Sequence, residues 1–318
     1  MMADSDEMCT NVTTREVTIP PVSIQRAATL DGRLLCASES TYGIRSPYFR
    51  CASFLHGTTA KRITRSINSA LIGQTTDGVV VAFRGTLRSS ALDWFQNAAA
   101  LFSPARGEKF QGLVHVGFYR AVKSLWDAMK GIVIDFLQAS EKKALYITGH
   151  SKGGCLASIA ALLMHFDPDL PTPTKVCVFG SARVGDATFR EQYNKIIHQT
   201  TYENRLDIVP FLPPSRYIME DMNENMTDVV ESMLWPDKKD KQEDFVWGYQ
   251  PLGKRCYIDE ERNVVTEVTK DLDDSRIKEF EKATFLRFDV FVEAHRSDCK
   301  GGYFQAIAPE VCVAGGEM

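Results

Sequence analysis

Ala144-Leu-Tyr-Ile-Thr-Gly-His-Ser-Lys-Gly-Gly-Cys155 decides the fold of this chain. Strand-forming residues run into Gly149-His-Ser-Lys-Gly153, and a small-residue, apolar segment from Cys155 to Phe166 follows. A strand that turns at once into a helix holds its middle residue, Ser151, in a strained conformation with the hydroxyl exposed. Glycines two positions to either side let strand and helix pack that closely. The helix start then sets backbone N–H groups where a negative oxygen would form beside the hydroxyl. G-x-S-x-G alone is a common pattern; the strand before it and the helix after it make it a nucleophile elbow.

Working outward, strand-like and helix-like segments alternate between Gly78 and His198. Val79 to Phe83 and Lys175 to Phe179 are short apolar runs that predict buried strands, and Thr200 to Glu203 is a further strand candidate. Phe118, Val122, Leu125, Met129, Ile132 and Phe136 recur at helical spacing, and Ala187 to Ile197 is another helix. This alternation predicts a mostly parallel α/β sheet covered on both faces. Ligands in such sheets bind at the carboxyl ends of the strands. No repeat or long linker divides the chain, so residues 26–318 are expected to form one domain behind a leader or edge extension, residues 1–25.

A net charge of −4 with 44% apolar residues fits an ordinary globular protein and gives no sign of nucleic-acid binding. No window reaches the length of a transmembrane span. The acidic, polar start does not resemble a secretory signal, which favours a cytoplasmic chain with reduced cysteines, although a processed, secreted form fits as well. The eight cysteines show no metal spacing; Cys155 and Cys177 fall in predicted core elements, and a Cys299–Cys312 disulfide is compatible with the sequence. The sequons at Asn11 and Asn225 matter only after secretion. No metal or organic cofactor is implied, and oligomeric state is not legible.

If Ser151 is a nucleophile it needs a base, and the base needs an orienting acid. Chain order in this kind of fold is Ser, then Asp or Glu, then His. Of the six histidines only His295 follows any acid placed after the next two strands. Position favours Asp207, which follows the second strand after the elbow, over Asp186, which also fits as the N-cap of the Ala187 helix. An oxyanion needs two donors: the backbone N–H of Lys152, and Thr86 in the turn Phe83-Arg-Gly-Thr86. Arg84 is read as a residue tying loops together.

These blocks together resemble the class 3 lipase family, the fungal triacylglycerol-lipase type. Phe83-Arg-Gly-Thr86 looks like its oxyanion loop and His115-Val-Gly-Phe118 like its H-x-G-F segment. Gly149-His-Ser-Lys-Gly-Gly154 looks like its elbow, while Phe179 to Asp186 and Asn204 to Pro210 look like its strand-end blocks. The resemblance implies an α/β-hydrolase fold with a lid and a triad of Ser151, Asp207 and His295. It also implies an oxyanion hole from Thr86 and Lys152 and a buried, structural His115. The expected partner is a lipid or ester substrate, triacylglycerol first, at a lipid–water interface. An sn-1 phospholipid or galactolipid, a small ester, or a lipase-like binding protein without turnover are the rivals.

Ser89 to Phe102 would be the lid, residues 87–102, with Leu92, Trp94 and Phe95 apolar on more than one face. Two features depart from the family. Lys152 stands where leucine is common, and its side chain is expected to seek solvent. Residues 219–244 look like an insertion whose Met222, Met226, Val229, Val230 and Met233 share one helical face, either a docked surface helix or a second cap.

Overall fold

The structure, a computed structural model, describes residues 11–19, 26–43, 48–86, 102–104, 109–213, 227, 248–284 and 289–313. The expected lid residues Leu92, Trp94 and Phe95, and the insertion at 219–244 apart from Thr227, lie outside them.

Among the described residues a sheet of nine strands runs in the order β1-β2-β3-β4-β7-β8-β9-β10-β11. These are β1 (Thr13–Thr18), β2 (Thr59–Arg65), β3 (Asn68–Gln74), β4 (Val79–Phe83), β7 (Leu145–His150), β8 (Lys175–Phe179), β9 (Gln199–Asn204), β10 (Lys254–Ile258) and β11 (Val264–Val265). Two short strands, β5 (Phe102–Pro104) and β6 (Leu113–His115), pair separately. The five strands from β4 to β10 are parallel, and β1 to β4 form an antiparallel wing. β1 lies within the expected leader, so that part of it is an edge strand of the sheet.

The central strands carry no alternation because both faces are covered, as parallel strands require. On one face lie the α-helices α3 (Val116–Ala139), α4 (Lys152–Phe166) and α5 (Ala187–Ile196). On the other lie α1 (Leu30–Glu39), α2 (Tyr48–Cys51), α8 (Tyr303–Ile307) and α9 (Pro309–Val313). α3 is amphipathic, with Phe118, Val122, Leu125, Met129 and Ile132 buried, whereas α4 is buried all round from Lys152 to Met164. The covered, mostly parallel sheet is the one the alternating pattern predicts, and it carries the α/β-hydrolase architecture that the resemblance implies.

Two disulfides correct the expectation of reduced cysteines. Cys36–Cys51 ties α1 to α2, and Cys299–Cys312 closes the segment that carries α8. Cys155 and Cys177 are free and buried, as their apolar settings require. At the far side of the parallel block, Glu203 on β9 accepts from Arg255 at 2.6 and 2.8 Å and from Arg276 at 2.5 Å. Burial alone would push that carboxyl up; the two guanidiniums hold it down, at about 2. The cluster pins β9, β10 and the helix α6 (Lys270–Thr284) around the strand end that carries Asp207.

Candidate active site

The elbow is built as its spacing demands. Ser151 sits between β7 and α4 at φ 57°, a left-handed conformation that side chains rarely adopt. A Cβ at Gly149 would strike the backbone of Gly153, and one at Gly153 would strike the Phe83 carbonyl oxygen. Close approach, rather than dihedral freedom, therefore demands these two glycines. The Ser151 N–H donates to the Phe179 carbonyl at 2.9 Å, which locks the elbow against β8. As a whole residue Ser151 is 6% exposed.

Asp207, at the carboxyl end of β9, is fully buried and accepts three separate donors. The His295 Nδ1 reaches its two oxygens at 3.0 and 2.9 Å. The Tyr303 hydroxyl donates to Oδ2 at 2.6 Å, and the Val209 N–H donates to Oδ1 at 2.9 Å. With Nδ1 donating to the carboxylate, the ring leaves Nε2 as its acceptor, which is the tautomer a general base needs. His295 follows the short helix α7 (Asp289–Ala294), and its carbonyl accepts from His150 Nε2 at 2.7 Å, with the two rings 4.6 Å apart. The candidate base is thus tied to the residue before Ser151. Gly180 lies under the group: at φ 53°, a Cβ there would sit 2.7 Å from Asp207 Oδ2 and 3.1 Å from His295 Cε1.

Tyr303 escaped the sequence reading. Burial first, then the Asp207 charge, pushes its phenol well above 10, so it stays a hydrogen-bond donor. It also accepts from the Asn204 N–H at 3.1 Å. No motif spacing marks this tyrosine; only the packing of α8 brings it to Asp207.

Asp186, the alternative acid, is elsewhere. It caps α5, accepting from the Phe189 N–H at 2.8 Å. His115 is a buried cap too, its Nδ1 accepting from the Gly117 and Phe118 N–H groups at 3.1 and 3.4 Å. Burial brings its pKa down to about 4, so the ring is neutral near neutrality.

The loop 84–86 passes alongside the elbow. A Cβ at Gly85 would lie 3.3 Å from Ser151 Cβ and would strike the Tyr42 hydroxyl and the His150 carbonyl. Among the described residues the buried Thr86 Oγ1 has no hydrogen-bond partner. Such a hydroxyl costs about 1–3 kcal/mol to bury alone, and it lies in the loop beside Ser151. Arg84 does tie loops together: its N–H donates to the Ser69 carbonyl at 3.0 Å and its Nη2 to the Ile67 carbonyl at 3.2 Å.

Lys152 corrects an expectation. Its side chain is only 7% exposed and donates from Nζ to Asn68 Oδ1 at 2.8 Å. Burial, reinforced by the nearby Arg84 cation, lowers its pKa to about 8. Among the described residues no three His, Cys, Asp or Glu side chains form a group that could hold a metal ion, and no helix is long and apolar enough to cross a membrane.

The Lipase (class 3) family model matches residues 80–217, so the resemblance read in the motifs is found again over that span. A lipase of Rhizopus niveus is 30% identical over 145 residues, 44% of this chain and 36% of the relative. A chloroplastic phospholipase A(1) of Arabidopsis thaliana is 26% identical over 199 residues, 57% of this chain and 43% of the relative. The chain thus spans about two fifths of the length of these relatives. Among solved structures, the triacylglyceride lipase of Rhizomucor miehei superposes with a TM-score of 0.58 at 19% identity. That match covers 90% of this chain and 99% of the other, and it shows the shared fold.

Proposed function

We propose that this chain is a serine ester hydrolase that cleaves acyl esters of lipids, with triacylglycerol as the first substrate to test. The observation that supports the reading is the buried array Tyr303–Asp207–His295, tied through the His295 carbonyl to His150, the residue before the strained Ser151. In this reading His295 Nε2 takes the Ser151 proton as Oγ attacks the ester carbonyl. The oxyanion that develops is received by the Lys152 N–H and by Thr86, whose hydroxyl then gains the partner it lacks. The imidazolium gives its proton to the departing alcohol, and Asp207 stabilises the transient charge. Water then attacks the acyl-enzyme, with His295 again as base, and frees the acid and Ser151.

The two disulfides support an oxidising compartment over the cytoplasm that the polar start favours. The assignment is tested by Ser151→Ala. The wild type is expected to hydrolyse p-nitrophenyl butyrate and to be labelled by a fluorophosphonate. The variant is expected to lose both while melting at the same temperature. Hydrolysis persisting in the variant overturns the assignment, and a wild type that binds esters without turnover favours the binding-protein reading.

A further inference from the structure

The hairpin between β2 and β3 carries features that ester hydrolysis does not use. Its tip, Ser66-Ile67, places Ile67 at 71% exposure, one of two exposed large apolar side chains among the described residues. Behind the tip lies an open cleft of about 440 Å³, lined by Arg65, Ser66, Asn68, Arg120, Lys123 and Ser124. Every charged residue in that lining is cationic, although the whole chain carries a net −4. Arg65 and Arg120 have no anionic partner among the described residues. Cations lining one cleft, two of them without a carboxylate partner, suit the phosphates of an anionic surface.

The cleft is also wired to the catalytic end of the sheet. Arg84, in the candidate oxyanion loop, holds the Ile67 carbonyl at 3.2 Å. Asn68 in the lining accepts from Lys152, the residue after Ser151, at 2.8 Å. That bond occupies the amide oxygen and leaves the Asn68 N–H groups to point elsewhere as donors.

We propose that this hairpin and cleft form an interfacial docking site, in which Ile67 enters the acyl layer while Arg65, Arg120 and Lys123 hold the phosphates of an anionic glycerophospholipid. The exposed isoleucine selects a lipid surface over free phosphate, since a soluble anion offers nothing to bury it against. The proposal rests on the reading that substrate is met at a lipid–water interface. It adds that the interface must be anionic, and that docking brings the elbow to it through Arg84 and Lys152.

The test is co-sedimentation of the full chain with vesicles of phosphatidylcholine alone or mixed with phosphatidylglycerol. The wild type is expected to partition onto the mixed vesicles and to be released by salt. Each cation near an anionic surface contributes about fivefold, so Arg65→Ala with Arg120→Ala should lose about 30-fold in partitioning. Arg65→Lys with Arg120→Lys should keep most of it, which separates charge from misfolding. Ile67→Ser should weaken binding to mixed vesicles without changing its salt sensitivity. Lys142→Ala with Lys143→Ala removes equal charge ahead of β7, at the opposite end of the strands, and should change nothing.

Equal partitioning onto neutral vesicles, or an equal loss in the Lys142/Lys143 variant, overturns the proposal. So does an Ile67→Ser variant that partitions as the wild type does, which would leave a site for free phosphate and none for a lipid surface. Hydrolysis of soluble p-nitrophenyl butyrate by the wild type keeps the two readings apart. Turnover without anionic preference sinks only the docking site; anionic binding without turnover sinks only the hydrolase.

Discussion

Replacing Lys152 by methionine is expected to stabilise the protein near neutrality, and by a pH-dependent amount. The amine is buried at the first turn of α4 with Arg84 nearby, and burial followed by that cation brings its pKa from 10.5 to about 8. Such a difference amounts to about 3 kcal/mol against the charged form in the folded state. Below pH 8 the lysine is charged both folded and unfolded, so the full penalty applies. Between 8 and 10.5 only the unfolded chain keeps the proton, and wild-type stability rises with pH as the penalty fades. Methionine keeps the length of the side chain and loses one hydrogen bond to Asn68, worth about 1 kcal/mol. The net gain at pH 7 is therefore about 2 kcal/mol, or about 3 °C in Tm for a chain of this size. At pH 9 the advantage should be about 1.4 kcal/mol smaller than at pH 7. Denaturant titrations of both proteins at pH 7, 8 and 9 read this directly. A variant less stable than wild type at pH 7, or a gain that does not shrink by pH 9, refutes the account of the buried amine. Ester hydrolysis should survive the change, because the role assigned to residue 152 belongs to its backbone N–H.

Tyr303→Phe strands a buried Asp207 oxygen and the Asn204 N–H, and should lower kcat about tenfold with little change in KM, measured on p-nitrophenyl butyrate. A fall in KM and kcat together would instead mean that α8 has moved. Replacing Cys299 and Cys312 by serine opens a bridge spanning 13 residues and should cost about 3 kcal/mol in a denaturant titration. Because Tyr303 lies inside that loop, activity should drop before global unfolding as temperature rises. His115, held to about 4 when folded against 6.5 otherwise, binds its proton only in the unfolded chain between those values. Its contribution is complete above pH 6.5 and is lost as pH falls to 4, by about 3 kcal/mol. His115→Asn, which keeps a capping oxygen, should flatten the stability curve across that window.

The centre of the fold was legible because its signals are local. The apolar runs at 79–83, 145–148 and 175–179 could be nothing but buried strands, and each is one in the structure. Glycine spacing around Ser151 records contacts between neighbouring segments, so it too can be read without a partner in view. Lys152 was misjudged for the opposite reason. A lysine at a helix start has every local reason to face water, and only Asn68, 84 residues away, holds it inside. The cysteines failed similarly: Cys36 and Cys51 lie 15 residues apart with no motif between them, and their pairing depends on how α1 meets α2.

The family span closes at residue 217, yet two of the groups around Asp207 lie far beyond it. His295 could be reached by elimination, because chain order discards every other histidine, but elimination names a residue without placing it. Placement comes from long-range bonds: Asn204 Nδ2 donates to the carbonyls of Ala294 and Gly301 at 2.8 and 2.9 Å. Those two bonds clamp the chain on either side of the His295 loop to the end of β9, three residues before Asp207. Tyr303 then enters from α8, and Cys299–Cys312 restrains the same segment. The candidate acid sits just past a parallel strand and is fixed by the sheet, while the candidate base on a loop must be held by something else. Here that task falls to Asn204, Tyr303 and a disulfide, and a mutation in any of them should reach Ser151 through the orientation of one imidazole.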